Sequence, residues 1–185
     1  AVAMGLPSPL FPIHLLWINL VTDGLPALCL ATDAIDADVM SHPPRPRSQR
    51  LADRSFFWTL GLTGLLTAGV AFGVYLYALK TSTVEVARAA AFTVLVFSEL
   101  LRSFGARSET KPVWRISLAT NLQLVAVVAL SFGLQMASQR IPTFTRFLKT
   151  APLPLSDLLL LLALGAVPLV VLELVKLARK AKSPQ

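Results

Sequence analysis

The feature that most constrains this chain is a recurrence of apolar stretches about twenty residues long, joined by short basic connections. A helix needs about 20 mostly apolar residues to cross a hydrocarbon core of roughly 30 Å. Stretches at about 11–32, 56–79, 86–101, 116–136 and 155–177 meet or approach that length. They differ in quality. The second is clean and rich in glycine, with Gly69 and Gly73 at a spacing that permits close helix packing. The third carries Arg88 and Glu99, and the fifth contains Asp157, Pro168, Glu173 and Lys176. Only 15 % of the 185 residues are charged, against roughly 25 % in soluble domains, too few to cover a water-facing surface. The pattern predicts an all-α membrane protein, a bundle of five transmembrane helices with the first one broken near Thr22 and Pro26.

Loop charges set the direction of the helices. Twelve of the 17 basic residues fall after spans one, three and five. The other five, Lys80, Arg88, Arg140, Arg146 and Lys149, fall on the opposite side. The positive-inside rule then puts the C-terminus in the cytoplasm. The net charge of +7 reflects this topology and predicts a lipid bilayer rather than a nucleic acid as the partner. Cys29, the single cysteine, excludes an internal disulfide and reads as a small buried hydrophobe. The 33–54 connection opens with Asp33, Asp36 and Asp38 and continues into a proline- and arginine-rich run. Proline at that density forbids a helix, so the segment reads as a stiff cytoplasmic loop, either a topology anchor or a docking surface.

Span one carries the chemistry. A carboxyl in mid-membrane costs several kcal/mol unless paired or hydrated, which makes Asp23 a functional candidate. Pro26 cannot donate to the Thr22 carbonyl, so the helix should open around residues 22–25, as helices do where backbone lines an ion site. Asn19 and Asp23 are four apart and share a face, with Thr22 beside them. An amide oxygen, a hydroxyl or freed carbonyl, and a carboxylate suit a hard cation such as calcium, which takes six to eight oxygens, so other helices must supply the remainder. The competing reading is a hydrogen-bonded packing cluster around a protonated Asp23. Glu99 is the second candidate, and its spacing to Arg102 leaves ligand and salt bridge equally open. Glu173 and Lys176 have the same spacing, and Asp157 and Glu173 read as interfacial acids. His14 reads as a packed or interfacial histidine. No phosphate-binding Gly-Lys-Ser/Thr loop, zinc-protease helix or nucleophile elbow is present in the sequence, so catalytic and cofactor-binding residues are expected to be none.

The stretch Leu15-Leu16-Trp17-Ile18-Asn19-Leu20-Val21-Thr22-Asp23-Gly24-Leu25-Pro26-Ala27 resembles the sixth transmembrane helix of calcium-type P-type ATPases, the family of the sarcoplasmic reticulum calcium pump. Asp36-Ala37-Asp38-Val39-Met40 and Pro43-Pro44-Arg45 resemble the loop that follows it, although Ser41 and His42 depart from that loop's usual aspartate and arginine. The resemblance implies that residues 1–185 are helices six to ten of such a pump. Asn19, Thr22 and Asp23 would then be Ca2+ ligands, and Glu99 the eighth-helix carboxylate. Asp36 and Asp38 would contact the phosphorylation domain. It also implies that ATP and Mg2+ act only through domains outside this chain, that the N-terminal helices of the same pump are its partners, and that the intact protein, not this segment alone, is the enzyme. Mn2+ is the other cation considered, and the short loops suggest a bacterial plasma membrane. Two rival readings are an autonomous five-span channel or secondary carrier, and a non-transporting membrane partner.

Overall fold

A computed structural model describes residues 1, 4–34, 54–108 and 111–182. Among them there are helices and turns and no strand. Helix α1, Pro12–Ala31, starts with proline at its first position, where the missing amide is no loss. The His14 ring reaches back to accept from the Phe11 amide (3.2 Å). Helix α2, Arg54–Thr81, leads through a tight turn into α3, Val84–Gly105, whose Thr83 cap accepts from Val86. Helix α4, Leu122–Arg140, is capped by Asn121, which accepts from the Leu124 amide at 2.9 Å. The short α5, Pro142–Leu148, ends on Lys149 in the left-handed conformation. Helices α6, Leu155–Gly165, and α7, Val167–Lys182, form one continuous rod interrupted where Pro168 withholds an amide from the Leu164 carbonyl.

The long elements run up and down, so two ends of the bundle are defined. One gathers the end of α1, the ends of α3 and α7 and the start of α4. The other gathers the start of α1, the α2–α3 turn and α5. Four rods are long and apolar enough to cross a membrane: Pro12–Ala31, Phe56–Thr81, Leu118–Arg140 and Leu155–Arg179. The fifth, α3, has the length but carries Glu85, Arg88, Glu99 and Arg102. It lies at the centre, packed against α1, α2, α4, α6 and α7. Because its neighbours replace lipid around it, it has no need to be apolar throughout.

Packing around α3 depends on small side chains. Ala87, Ala89, Ala90 and Ala91 are buried against α2 and α6 residues such as Tyr75 and Leu158. A Cβ at Gly165 would sit 2.9 Å from the Phe97 Cβ and 3.2 Å from the Ser98 amide nitrogen, so only glycine permits this α3–α6 approach. The glycines singled out in α2 have no such role: Gly61, Gly64, Gly69 and Gly73 all face open space.

Candidate functional site

The irregularity expected near Thr22 and Pro26 takes the form of a wide turn. Residues Ile18–Gly24 are wound as a π-helix between the α-helical segments Pro12–Trp17 and Leu25–Ala31. In that i→i+5 register the Val21 carbonyl looks for an amide on residue 26, and proline has none. The Ser131 hydroxyl of α4 donates to that carbonyl instead, at 2.9 Å and fully buried. Gly24 belongs to the same geometry, because a Cβ there would press to 3.0 Å against the Asn19 carbonyl. The helix therefore stays continuous while its backbone oxygens are redistributed, and π-bulges of this sort concentrate at functional sites.

The winding sorts the candidate ligands. Asn19 and Asp23 stand exposed on one side of α1, flanked by exposed Leu15, Leu16, Leu20 and Leu28. Thr22 points inward, buried, and its hydroxyl donates to the Ile18 carbonyl at 2.8 Å. Glu99 lies across the α1–α3 contact, near enough for its charge and that of Arg102 to act on the Asp23 carboxylate. Glu99 itself is ion-paired with Arg102, one turn on. Among the described residues no three acidic, histidine or cysteine side chains converge: Asn19 and Asp23 share the open flank, while Thr22 and Glu99 are engaged with partners inside the bundle. Asp36 and Asp38 lie outside the described residues.

Both ends of α1 are clamped. At one end Arg107, its side chain only 4 % exposed, forks onto Asp33 through Nε (2.7 Å) and a terminal nitrogen (3.0 Å). The same guanidinium donates to the Ser117 carbonyl and the Thr120 hydroxyl. This pairing holds the Asp33 carboxyl below its ordinary value. Asn121 adds a bond to the Cys29 carbonyl at 3.0 Å, and Cys29 is buried as its apolar setting predicts. At the other end His14 is buried and stacked on Phe92. Its Nδ1 accepts from Phe11, so Nε2 carries the proton and donates to the Leu148 carbonyl at 2.6 Å. Glu173 and Lys176 pair as their spacing suggests, and both are buried within the bundle at its Gly105 end. Lys176 also donates to the Gly105 carbonyl at the end of α3, and Glu173 accepts from the Val113 amide.

Sequence reasoning missed Ser131, Arg107 and Asn121. Ser131 is a lone hydroxyl in an apolar stretch, Arg107 read only as a topology charge, and nothing local ties either to α1. That some carbonyl needs a donor from elsewhere was legible from Pro26, but the π-winding moves the deficit from the expected Thr22 carbonyl to that of Val21.

The family model for the C-terminus of cation transporting ATPases matches residues 7–178. A calcium-transporting ATPase 1 of Bacillus cereus is 38 % identical over an alignment covering 97 % of this chain and 22 % of that protein. The calcium-transporting ATPase of Bacillus subtilis is 32 % identical over 97 % of the chain and 20 % of its own length. A calcium-transporting ATPase type 2C member 2 of Rattus norvegicus is 30 % identical over 95 % and 19 %. The chain thus spans about a fifth of the length of these relatives. With the family model covering nearly every described helix, this integral membrane bundle belongs to the family of cation-transporting ATPase C-terminal regions.

Proposed function

We propose that this chain is the ion-binding transmembrane part of an ATP-driven pump that exports Ca2+ from the cytoplasm by alternating access. The observation that carries the reading is the exposed pair Asn19 and Asp23 in the middle of an otherwise apolar membrane helix, on a π-wound turn. A carboxylate and an amide cannot face lipid at that depth without large cost, so the flank is one that other protein must cover. Helices of the same pump outside this chain are the fitting cover, and they would supply the further oxygens that a hard cation needs.

In this reading Asn19, Thr22, Asp23 and Glu99 contribute ligands. The Thr22 hydroxyl and the Glu99 carboxylate are engaged with Ile18 and Arg102 here, so loading the ion exchanges those partners for the cation. Asp36 and Asp38 sit in the loop that would receive movement from the phosphorylation domain, and the C-terminus lies in the cytoplasm, as the charge asymmetry predicts. The relatives' names support Ca2+ as cargo; Mn2+ is the competing cation for the same oxygens.

The test uses the full-length pump. Asp23→Asn is expected to weaken Ca2+ activation of ATP hydrolysis and Ca2+ uptake by tenfold or more (order of magnitude). Unchanged uptake and unchanged ion affinity would remove Asp23 from the site. A parallel titration with Mn2+ separates the two cations.

A further inference from the structure

The end of the bundle opposite Arg107 holds a cluster that the ion path does not use. A shallow cavity of about 390 Å³ lies between the start of α1, the start of α3 and the α5 turn. Arg88, Arg146 and Lys149 line it, three of the five basic residues that the sequence assigns to this side. Glu85 is the one acid in its wall. The Arg88 guanidinium and the Lys149 ammonium stand over the same Phe11 ring, at 4.5 and 5.6 Å from its centroid. The wall therefore has a net excess of positive charge.

The geometry around them is fixed rather than incidental. Nε of Arg88 donates to the Ser8 carbonyl at 2.7 Å, which sets the plane of the guanidinium. The left-handed Lys149 (φ 51°) turns the chain, so that the Thr150 and Lys149 amides occupy the Thr145 and Arg146 carbonyls. Two carbonyls at the end of α5 are therefore already bonded. Thr150 lies beside them in the cavity wall.

From this convergence we propose that the cavity binds a phosphate oxyanion, held by Arg88, Arg146 and Lys149. Two sources offer that chemistry: the headgroup of an anionic phospholipid, and free inorganic phosphate. The exposed Phe147 on α5 gives an acyl chain an apolar surface close by.

The experiment measures binding to the full-length protein in detergent. Dioleoyl phosphatidylglycerol is titrated by native mass spectrometry against dioleoyl phosphatidylcholine, and inorganic phosphate is titrated by thermal shift against chloride at matched ionic strength. Saturable binding of phosphatidylglycerol but not of inorganic phosphate assigns a lipid headgroup, and binding of both assigns a general oxyanion site. In either case Arg146→Ala with Lys149→Ala is expected to raise Kd by about tenfold or more, since each lost charged hydrogen bond is worth about a factor of ten. Arg140→Ala removes a cation from the same end outside the cavity and is expected to leave Kd unchanged. The proposal is overturned if neither ligand saturates, if Arg140→Ala weakens binding as much as the double variant, or if the double variant binds like the parent.

Discussion

Helices α2 and α3 lie side by side and have opposite compositions. Helix α2 is almost wholly apolar, and Phe57, Trp58, Leu60, Leu65 and Tyr77 along it are exposed. Helix α3 carries four charged side chains, yet Phe92, Val94, Val96, Phe97 and Leu100 are buried and its alanine face is closed. In water the apolar helix would be the inner one. In a bilayer, hydropathy measures how much lipid a helix must face, and a central helix is surrounded by other helices that can satisfy its polar groups. Burial of α3 rests on close fit and on paired charges, whereas α2 rests on favourable transfer into lipid.

That difference breaks most visibly where α3 ends. Lys176→Met leaves Glu173 buried with only the Val113 amide and strips the Gly105 carbonyl of its donor. Removing one member of a buried pair is expected to cost about 3–5 kcal/mol, read as a large fall in the midpoint of thermal unfolding of the full-length protein in detergent. The double variant Glu173→Leu with Lys176→Met should lose less than the single one, because no unpaired charge remains. Gly165→Val comes next. The added side chain meets the Phe97 Cβ and the α3 backbone, which cannot retreat, and overpacking of this kind costs about 1–3 kcal/mol in the same measurement. A Gly165→Val protein as stable as the parent would show that the α3–α6 contact is looser than the geometry requires.

Much of this architecture was legible because the bilayer enforces it. Four rods and the irregularity near Pro26 follow from apolar length and from the missing proline amide, while the charged α3 has the length without the apolarity. The form of the irregularity was not legible, since a π turn and an open break relieve the same proline and differ only in where Ser131 sits. The glycines misled for a related reason. Gly69 and Gly73 have the spacing of a packing motif in a helix that faces outward, while Gly165, with no partner at that spacing, makes the close contact. Spacing states what a helix face permits; the neighbour decides whether the permission is used. The Arg102 partner of Glu99 was one of two readings at that spacing, and the Asp33–Arg107 fork, 74 residues apart, had no local signal.

The Asp33 fork gives a smaller, pH-dependent effect at the same end of the bundle. Arg107 holds the folded carboxyl below its ordinary value of 3.8, so the unfolded chain binds the proton more readily than the folded one. Stability from this pair is complete above pH 3.8 and is lost as pH falls below it towards the depressed folded value. Melting of the parent should therefore decline on acidification below about pH 4, and Asp33→Asn should remove that part of the decline while lowering the midpoint at neutral pH. Parallel parent and variant curves across that window would detach Asp33 from the acid sensitivity.

The smallest effect belongs to the lipid-facing helix and sharpens the comparison most directly. Gly69→Ala and Gly73→Ala place a methyl group where nothing lies within 4 Å, so no clash opposes the gain in helix propensity. Glycine inside a helix is worse than alanine by roughly 0.5–1 kcal/mol in water, and the exposed face of α2 should recover up to that amount per site. The expected result is an unchanged or slightly raised unfolding midpoint. If either substitution instead lowers the midpoint as Gly165→Val does, another helix must pack on that face of α2, and the division between a lipid-facing α2 and a protein-facing α3 fails at those positions.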